Sequence, residues 1–234
     1  MKHSLARRVV AEFVGTLFLL VAVIGSGIMG ERLAAGNTSL ALLANSIATG
    51  AALVAIILAY GSISGAHLNP AVTLADAWQG GIAWRETPAY ISAHVAGAFA
   101  GVAIAHVMFG LSVFSASTHV RTGPAQLFSE FIATFGLLSV IWGCVRQRPT
   151  AVPFAVGAYI TGAYWFTSST SFANPAVTLA RSMSNTFAGI RPGDVVGFVI
   201  AQLLGAFAAT LLFRWLIPSP SEEAASVAVE YDRL

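Results

Sequence analysis

The chain carries one heptapeptide twice, as Asn69-Pro70-Ala71-Val72-Thr73-Leu74-Ala75 and as Asn174-Pro175-Ala176-Val177-Thr178-Leu179-Ala180. An identical run of seven residues is very unlikely to arise by chance, even in a biased composition. Each copy opens with Asn, a preferred N-cap residue, and continues with Pro, which is favoured at the first helical position. Each copy therefore predicts the start of a helix, and the pair indicates an internal repeat.

The composition around these copies is typical of a membrane protein. The 234 residues are 56% hydrophobic and only 9% charged, whereas soluble domains carry about a quarter charged residues. The formal charge is only +2, and the basic residues form no patch, so we expect a lipid bilayer and no nucleic acid as partner. The sequence contains no nucleophile arrangement, metal cluster or phosphate loop that would indicate an enzyme.

Six apolar runs are long enough to cross a bilayer as helices. They lie at about 9–29, 39–60, 87–110, 125–144, 151–168 and 194–216. The predicted fold class is therefore an all-α membrane protein with six transmembrane helices. We expect a single channel domain over residues 1–234, ending in a polar tail at 217–234.

Other features repeat along with the heptapeptide. Glu12 near the start of the first run is matched by Glu130 near the start of the fourth, and His94 in the third is matched by Gln202 in the sixth. Each half, at about 9–110 and 125–216, thus reads as two spans, the heptapeptide and a third span. Because three is odd, the second half enters the membrane from the opposite side, so the repeats are inverted.

Neither heptapeptide helix is long enough to cross the membrane. The apolar stretch from Asn69 to about Trp78 covers about 15 Å at helical rise, half of the hydrocarbon core. The preceding segments, 61–67 and 167–171, are small and polar, and non-helical backbone at membrane depth must be buried in protein or line a wet cavity. We therefore predict two re-entrant loops, each followed by a half-helix, with the half-helices meeting near the midplane.

The meeting of two helix N-termini has an electrostatic consequence. Each carries roughly half a positive charge, and the side-chain oxygens of Asn69 and Asn174 can cap their own helices, which leaves the NH₂ groups to donate into a lumen. Such a pore opposes cations and proton hopping and accepts neutral hydrogen-bonding solutes. Lys and Arg divide eight to four between the two sides, which predicts an inner (plasma) membrane protein with both termini cytoplasmic.

The family resemblance lies in the segment 64–73, Ser-Gly-Ala-His-Leu-Asn-Pro-Ala-Val-Thr, and in the second Asn-Pro-Ala at 174–176. These resemble the twin signatures of the aquaporin and aquaglyceroporin (major intrinsic protein) family, over about residues 9–216. The resemblance implies the aquaporin fold, passive diffusion of small uncharged solutes, a homotetramer, no cofactor and no bound metal. The implied pore motifs are Asn69, Pro70, Ala71, Asn174, Pro175 and Ala176.

The chain departs from the family pattern at its selectivity filter. Members usually place Arg directly after the second Asn-Pro-Ala, where this chain has Val177. By family spacing, the other filter positions fall on Thr49, Gly162 and Ser171. None of the four is charged, so we expect a wide constriction, similar to aquaglyceroporin-like channels of bacterial arsenic-resistance operons, that passes glycerol-like polyols, water and arsenite. The alternative is that Val177 only fills space and that selectivity is set elsewhere.

The intramembrane ionisable residues have two interpretations. In the family, residues such as Glu12 and Glu130 support the re-entrant loops, and the alternative is a proton relay. His67 is interpreted as a loop anchor or vestibule residue rather than a pH gate. Arg181 and Asp76, each seven residues past its asparagine, are expected to face vestibule water or a local partner, with direct filtering as the alternative. An ion-coupled secondary transporter, which also uses inverted repeats, is the rival function.

Overall fold

The computed structural model describes residues 3–217, and within them all regular secondary structure is helical. The predicted all-helical membrane fold is confirmed, whereas the predicted polar tail lies outside the described residues apart from residue 217. Two short 3₁₀ turns, Pro149–Ala151 and Pro192–Asp194, precede the sixth and eighth helices. The α-helices are α1 (Leu5–Leu33), α2 (Thr38–Ser64), α3 (Pro70–Trp78), α4 (Thr87–Met108), α5 (Pro124–Gln147), α6 (Val152–Phe166), α7 (Pro175–Arg181) and α8 (Val195–Leu216).

Five of the described helices are long and apolar enough to cross a bilayer: α1, α2, α4, α5 and α8. The remaining predicted span, the fifth along the chain, corresponds to α6, which has 15 residues and covers about 22 Å at helical rise. It ends at Phe166 because the next residue, Thr167, takes an extended conformation and begins the second re-entrant loop. The predicted span at 151–168 is therefore too long by a few residues at that end.

The helices pack in two equivalent groups. In the first half α1 lies against α2 and α4, and in the second half α5 lies against α6 and α8. The contact of α2 with α6 joins the two groups. This arrangement has the symmetry that the inverted-repeat interpretation requires.

Glycines permit the closest helix contacts within each half. A Cβ atom on Gly97 of α4 would clash with the carbonyl oxygen of Phe13 on α1. A Cβ atom on Gly205 of α8 would clash in the same way with the carbonyl oxygen of Phe131 on α5. Small residues let backbones approach where lipid supplies no hydrophobic driving force between helices, so both matched helix pairs depend on glycine.

The half-helices α3 and α7 occupy the space between the two groups. Each packs against both α4 and α8, and the two also contact each other. Each half-helix therefore touches the last long helix of both halves, which brings the two re-entrant loops together inside the protein.

Candidate functional site

The asparagines cap their own half-helices. The Oδ1 atom of Asn69 accepts a hydrogen bond from the backbone N–H of Ala71 at 2.9 Å. The Oδ1 atom of Asn174 accepts from the backbone N–H groups of Ala176 at 3.0 Å and Val177 at 3.3 Å. These bonds satisfy donors that the first turn of a helix leaves without an intrahelical partner.

The amide nitrogens of the same asparagines cross to the opposite loop. Asn69 Nδ2 donates to the carbonyl oxygen of Ala173 at 2.7 Å, and Asn174 Nδ2 donates to that of Leu68, also at 2.7 Å. The expectation that both NH₂ groups serve the lumen is thus corrected. One hydrogen of each amide ties the loops together, and the second is left to donate to a solute.

The remaining motif residues have a packing role. The asparagines line the central cavity, but the prolines and alanines are not among its lining residues. Both alanines are almost fully buried, and each proline occupies the first position of its half-helix. These four residues are Pro70, Ala71, Pro175 and Ala176.

The two loops have matched backbone conformations. Ala66 and Leu68 have positive φ angles of 47° and 54°, and Ser171 and Ala173 have φ angles of 51° and 49°. These residues lie three and one positions before each asparagine. Left-handed backbone is uncommon for residues other than glycine and costs energy unless its surroundings enforce it, so groups that hold the loops are required.

Glu12 holds the first loop from within the bundle. Its carboxylate accepts hydrogen bonds from the backbone N–H groups of His67 at 3.0 Å and Leu68 at 2.7 Å. The Nε2 atom of His94 also lies 2.7 Å from it. Glu12 has no solvent exposure, so these contacts replace the water that a buried carboxylate would otherwise need.

Glu130 holds the second loop in the equivalent way. Its carboxylate accepts from the backbone N–H groups of Phe172 at 2.8 Å and Ala173 at 2.9 Å. The side chain of Gln202 donates to it at 2.6 Å. The matched pairs seen in the sequence, Glu12 with Glu130 and His94 with Gln202, are therefore matched in space.

His67 lies at one mouth of the cavity. Its Nδ1 atom is 3.0 Å from the hydroxyl of Thr73, and its Nε2 atom is 3.6 Å from the carboxylate of Asp76. Both His67 and Asp76 line the cavity. Asp76 therefore has a local partner, as the sequence led us to expect.

The cavity has a volume of about 350 Å³ and extends from Asp76 at the end of α3 to Arg181 at the end of α7. Apolar side chains of α1, α2, α5 and α6 form most of its wall. Between those two charged residues, the polar lining consists of backbone, hydroxyl, imidazole and amide groups. Its lining residues on α6 are Val152, Val156, Ile160 and Tyr164.

Three of the four residues expected at the filter line this cavity: Thr49, Ser171 and Val177. Tyr164 joins them, and its hydroxyl lies 3.2 Å from that of Thr49. The Ser171 hydroxyl is buried and has no hydrogen-bond partner among the described residues.

The structure does not place Gly162 at the filter, where family spacing had led us to expect it. It is exposed on the outside of α6 and is not among the cavity-lining residues. The lining positions of α6 recur every four residues, and Gly162 lies two residues from both Ile160 and Tyr164, so it faces the opposite side of the helix. The assignment of Gly162 by family spacing assumes a fixed loop length before Asn174. The recurrence of lining residues every four positions, ending at Tyr164, is the sequence signal that indicates the pore-facing side of α6 instead.

Arg181 has local protein partners and does not face vestibule water alone. Its side chain is buried, and its Nε atom donates to the carbonyl oxygen of Ala188. The guanidinium lies over the ring of Phe172, 3.3 Å from the ring centroid. Phe172 also lines the cavity, although the sequence alone did not single it out.

Comparison with known proteins places this architecture. The family model of the major intrinsic proteins matches residues 1–163 and residues 144–232. The chain is 58% identical over 216 residues to the aquaglyceroporin AqpS of Rhizobium meliloti (strain 1021), covering 92% of each chain. It is 35% identical over 219 residues to the aquaporin NIP1-3 of Oryza sativa subsp. japonica, covering 88% of this chain and 74% of that one.

A solved structure shares the fold. The aquaglyceroporin of Plasmodium falciparum superposes with a TM-score of 0.72, covering 96% of this chain and 100% of that chain. The two sequences are only 20% identical, so this likeness concerns the fold alone.

Proposed function

This chain belongs to the major intrinsic protein family, and from that premise we propose which solutes its pore passes. It is a membrane channel for passive movement of small uncharged solutes and not an enzyme. We propose glycerol-like polyols, water and arsenite as the solutes. The pore motifs Asn69 and Asn174 supply donors to them at the centre.

The observation that carries this proposal is the uncharged side chain at position 177. Val177 lines the cavity together with Thr49 and Ser171, where family members usually place Arg. A valine lacks the length, fixed charge and five donors of an arginine, so the constriction is wide and weakly polar. Solutes larger than water pass such a filter, and hydroxyl groups supply the hydrogen bonding that polyols need.

Arsenite fits the same chemistry. Near pH 7 it is As(OH)₃, a neutral molecule with three hydroxyl groups, and it resembles a small polyol in size and hydrogen bonding. The Thr49 and Tyr164 hydroxyls, 3.2 Å apart, both donate and accept. The positive potential of two facing helix N-termini admits such a neutral solute while opposing cations.

The buried carboxylates act as supports rather than as proton carriers. Each of Glu12 and Glu130 accepts two backbone N–H bonds from a re-entrant loop. Together with the side chain of His67, which is itself in the first loop and bonds to Thr73 of α3, they keep the loop carbonyls directed toward the pore. Each carboxylate is buried and occupied by its loop, which favours the supporting role over the rival function of an ion-coupled transporter.

Swelling of proteoliposomes tests the channel against the transporter. We expect glycerol, water and arsenite flux with a low activation energy, unchanged by a protonophore or by a sodium gradient. Urea serves as a small neutral solute for comparison, and sucrose as a solute too large to enter the pore. Flux that collapses when the proton gradient is removed would establish the transporter instead.

The assembly and its placement complete the proposal. The protein forms a homotetramer with one pore in each protomer, and it lies in the inner (plasma) membrane with both termini cytoplasmic. The bias of eight basic residues against four supports that orientation. Cross-linking in membranes and protease accessibility of tagged termini test the two statements.

A further inference from the structure

A guanidinium stands in the pore wall one helical turn beyond Val177. Val177 and Arg181 are four residues apart on α7 and therefore share a face, and both line the cavity. Four residues of helix advance about 6 Å. The chain thus lacks the usual filter cation at position 177 and carries a cation farther along the same wall.

The side chain of Arg181 is fixed, but among the described residues it forms no direct ion pair. It is 2% exposed, its Nε atom donates to the carbonyl oxygen of Ala188, and its guanidinium carbon lies over the ring of Phe172. Its terminal nitrogens make no hydrogen bond or ion pair to any residue in 3–217. These nitrogens are nevertheless not fully buried, because they are not among the inaccessible polar atoms of that range that lack a hydrogen bond. Since Arg181 lines the cavity, the cavity reaches them.

A second guanidinium adds positive charge nearby. Arg121 lies over Phe172, 5.0 Å from the ring centroid, and its own nitrogens donate to the carbonyl oxygens of Gly189 and Ser169. Burial lowers the pKa of Arg121 to about 10, so it stays charged at neutral pH. Burial and the charges of Arg121 and Arg181 lower the pKa of His119.

The acidic groups near this end are already engaged. Glu130 is occupied by two backbone N–H groups and Gln202. Asp194 accepts from the backbone N–H of Arg121 at 2.9 Å and from Arg191 at 2.7 Å. A buried charge without a partner is costly, so a solute that brings negative charge to Arg181 is stabilised there.

We propose that Arg181, stacked on Phe172, forms a binding site for small oxyanions at the end of the pore farthest from Asp76. A guanidinium presents parallel N–H groups that match two oxygens on one central atom, as in a carboxylate or a phosphate. The Ser171 hydroxyl lines the same cavity, has no hydrogen-bond partner among the described residues, and supplies another donor. Asp76 gives the opposite mouth the opposite charge.

The site rests on the proposed function only in lying within the same pore. Binding and flux are therefore measured separately. Inorganic phosphate is the probe, titrated into detergent-solubilised protein and followed by ³¹P line width, and added to proteoliposomes during glycerol swelling. Sodium chloride at equal ionic strength controls for screening of surface charge.

We expect the ³¹P signal of phosphate to broaden in the presence of native protein, and phosphate to slow glycerol swelling. Chloride should cause neither effect. Arg181→Met, which keeps length and removes charge, should weaken phosphate binding about tenfold or more. Arg181→Lys should give an intermediate value, since it keeps the charge but loses the paired donors. The matched control is Arg191→Met on the same side, because Arg191 is 46% exposed, is paired with Asp194 and does not line the cavity.

Each result decides one question. Equal phosphate binding by native protein and Arg181→Met, or no binding by native protein, overturns the inference. Absent glycerol flux with phosphate binding intact contradicts the proposed function and leaves the site standing. If Arg181→Met fails to fold by gel filtration, the comparison of native protein with Arg181→Lys decides instead, and equal affinity there counts against the site.

Discussion

Asn69 and Asn174 join the two re-entrant loops by reciprocal hydrogen bonds. Each side-chain nitrogen donates, at 2.7 Å, to the carbonyl oxygen of the residue before the other asparagine. Each side-chain oxygen at the same time caps its own half-helix. The side chain at each of these positions must therefore both donate and accept a hydrogen bond. Aspartate, which has the same shape, supplies only acceptors when ionised.

Asn69→Asp and Asn174→Asp should therefore weaken both the loop contact and the cation barrier. Each variant leaves a buried carbonyl oxygen without its donor, at a cost of about 1–3 kcal/mol, and its charge offsets the positive helix ends. We expect a lower melting temperature, reduced glycerol flux and a measurable potassium leak.

Asn37→Asp is the matched control for these variants. Asn37 caps α2 through its side-chain oxygen alone, at 3.1 Å from the backbone nitrogen of Leu40, and Asp serves equally well at such a position. It should leave stability and flux at native values. Native behaviour of the two pore variants as well would show that the reciprocal bonds contribute nothing.

Glu130→Gln should be tolerated better than Glu130→Leu. The two carboxylate oxygens of Glu130 each accept one of the backbone N–H bonds, so a glutamine oxygen keeps one of them, whereas leucine leaves both donors unsatisfied and loses the Gln202 contact. We expect Leu to lower the free energy of unfolding by about 3 kcal/mol or more, and Gln by less. The same order should hold at Glu12.

The two readouts for these carboxylate variants are detergent melting temperature and glycerol flux. In a supporting role, flux follows stability, so the Gln variants retain most of it. Well-folded Gln variants that transport no better than the Leu variants would indicate that the carboxylates exchange protons during transport.

Tyr164→Phe and Gly162→Ala test the corrected filter geometry. Tyr164 lines the cavity and meets Thr49 at 3.2 Å, so removing its hydroxyl should change the ratio of glycerol to water flux. A methyl group on Gly162 would meet only the ring of Phe166, at 3.9 Å, and should leave that ratio unchanged. The reverse pattern would restore the family-spacing assignment of Gly162.

Val177→Arg should narrow the pore at its constriction. The new guanidinium would share the cavity wall with Thr49, Ser171 and Arg181, since Gly162 does not provide space for it. Water should still pass, whereas bulkier solutes such as methylated arsenicals should be reduced more than glycerol or arsenite. The measurement is the ratio of large-solute to water flux at matched protein levels.

Val177→Ala is the control for that change, because it shortens the side chain without adding charge. It should keep or raise permeability to the larger solutes. An unchanged flux ratio in Val177→Arg would mean that this position does not border the constriction.

The sequence by itself determined the parts of this protein that depend on local chemistry and on counting. Asn before Pro caps a helix wherever the fold places it, and two identical copies separated by an odd number of spans require inverted half-helices. Apolar runs located the long helices to within a few residues at most ends. Paired Glu12 and Glu130 followed from the same repeat.

Only the tertiary structure decided which way several side chains face. The rotation of α6 about its axis is set by packing against α2 and α5, and this rotation, rather than spacing from Asn174, directs Tyr164 inward and Gly162 outward. The asparagine amides cross to the opposite loop because two distant segments meet there. Arg181 is buried on Phe172 for the same reason: its contacts come from a loop fold that no periodicity in the chain specifies.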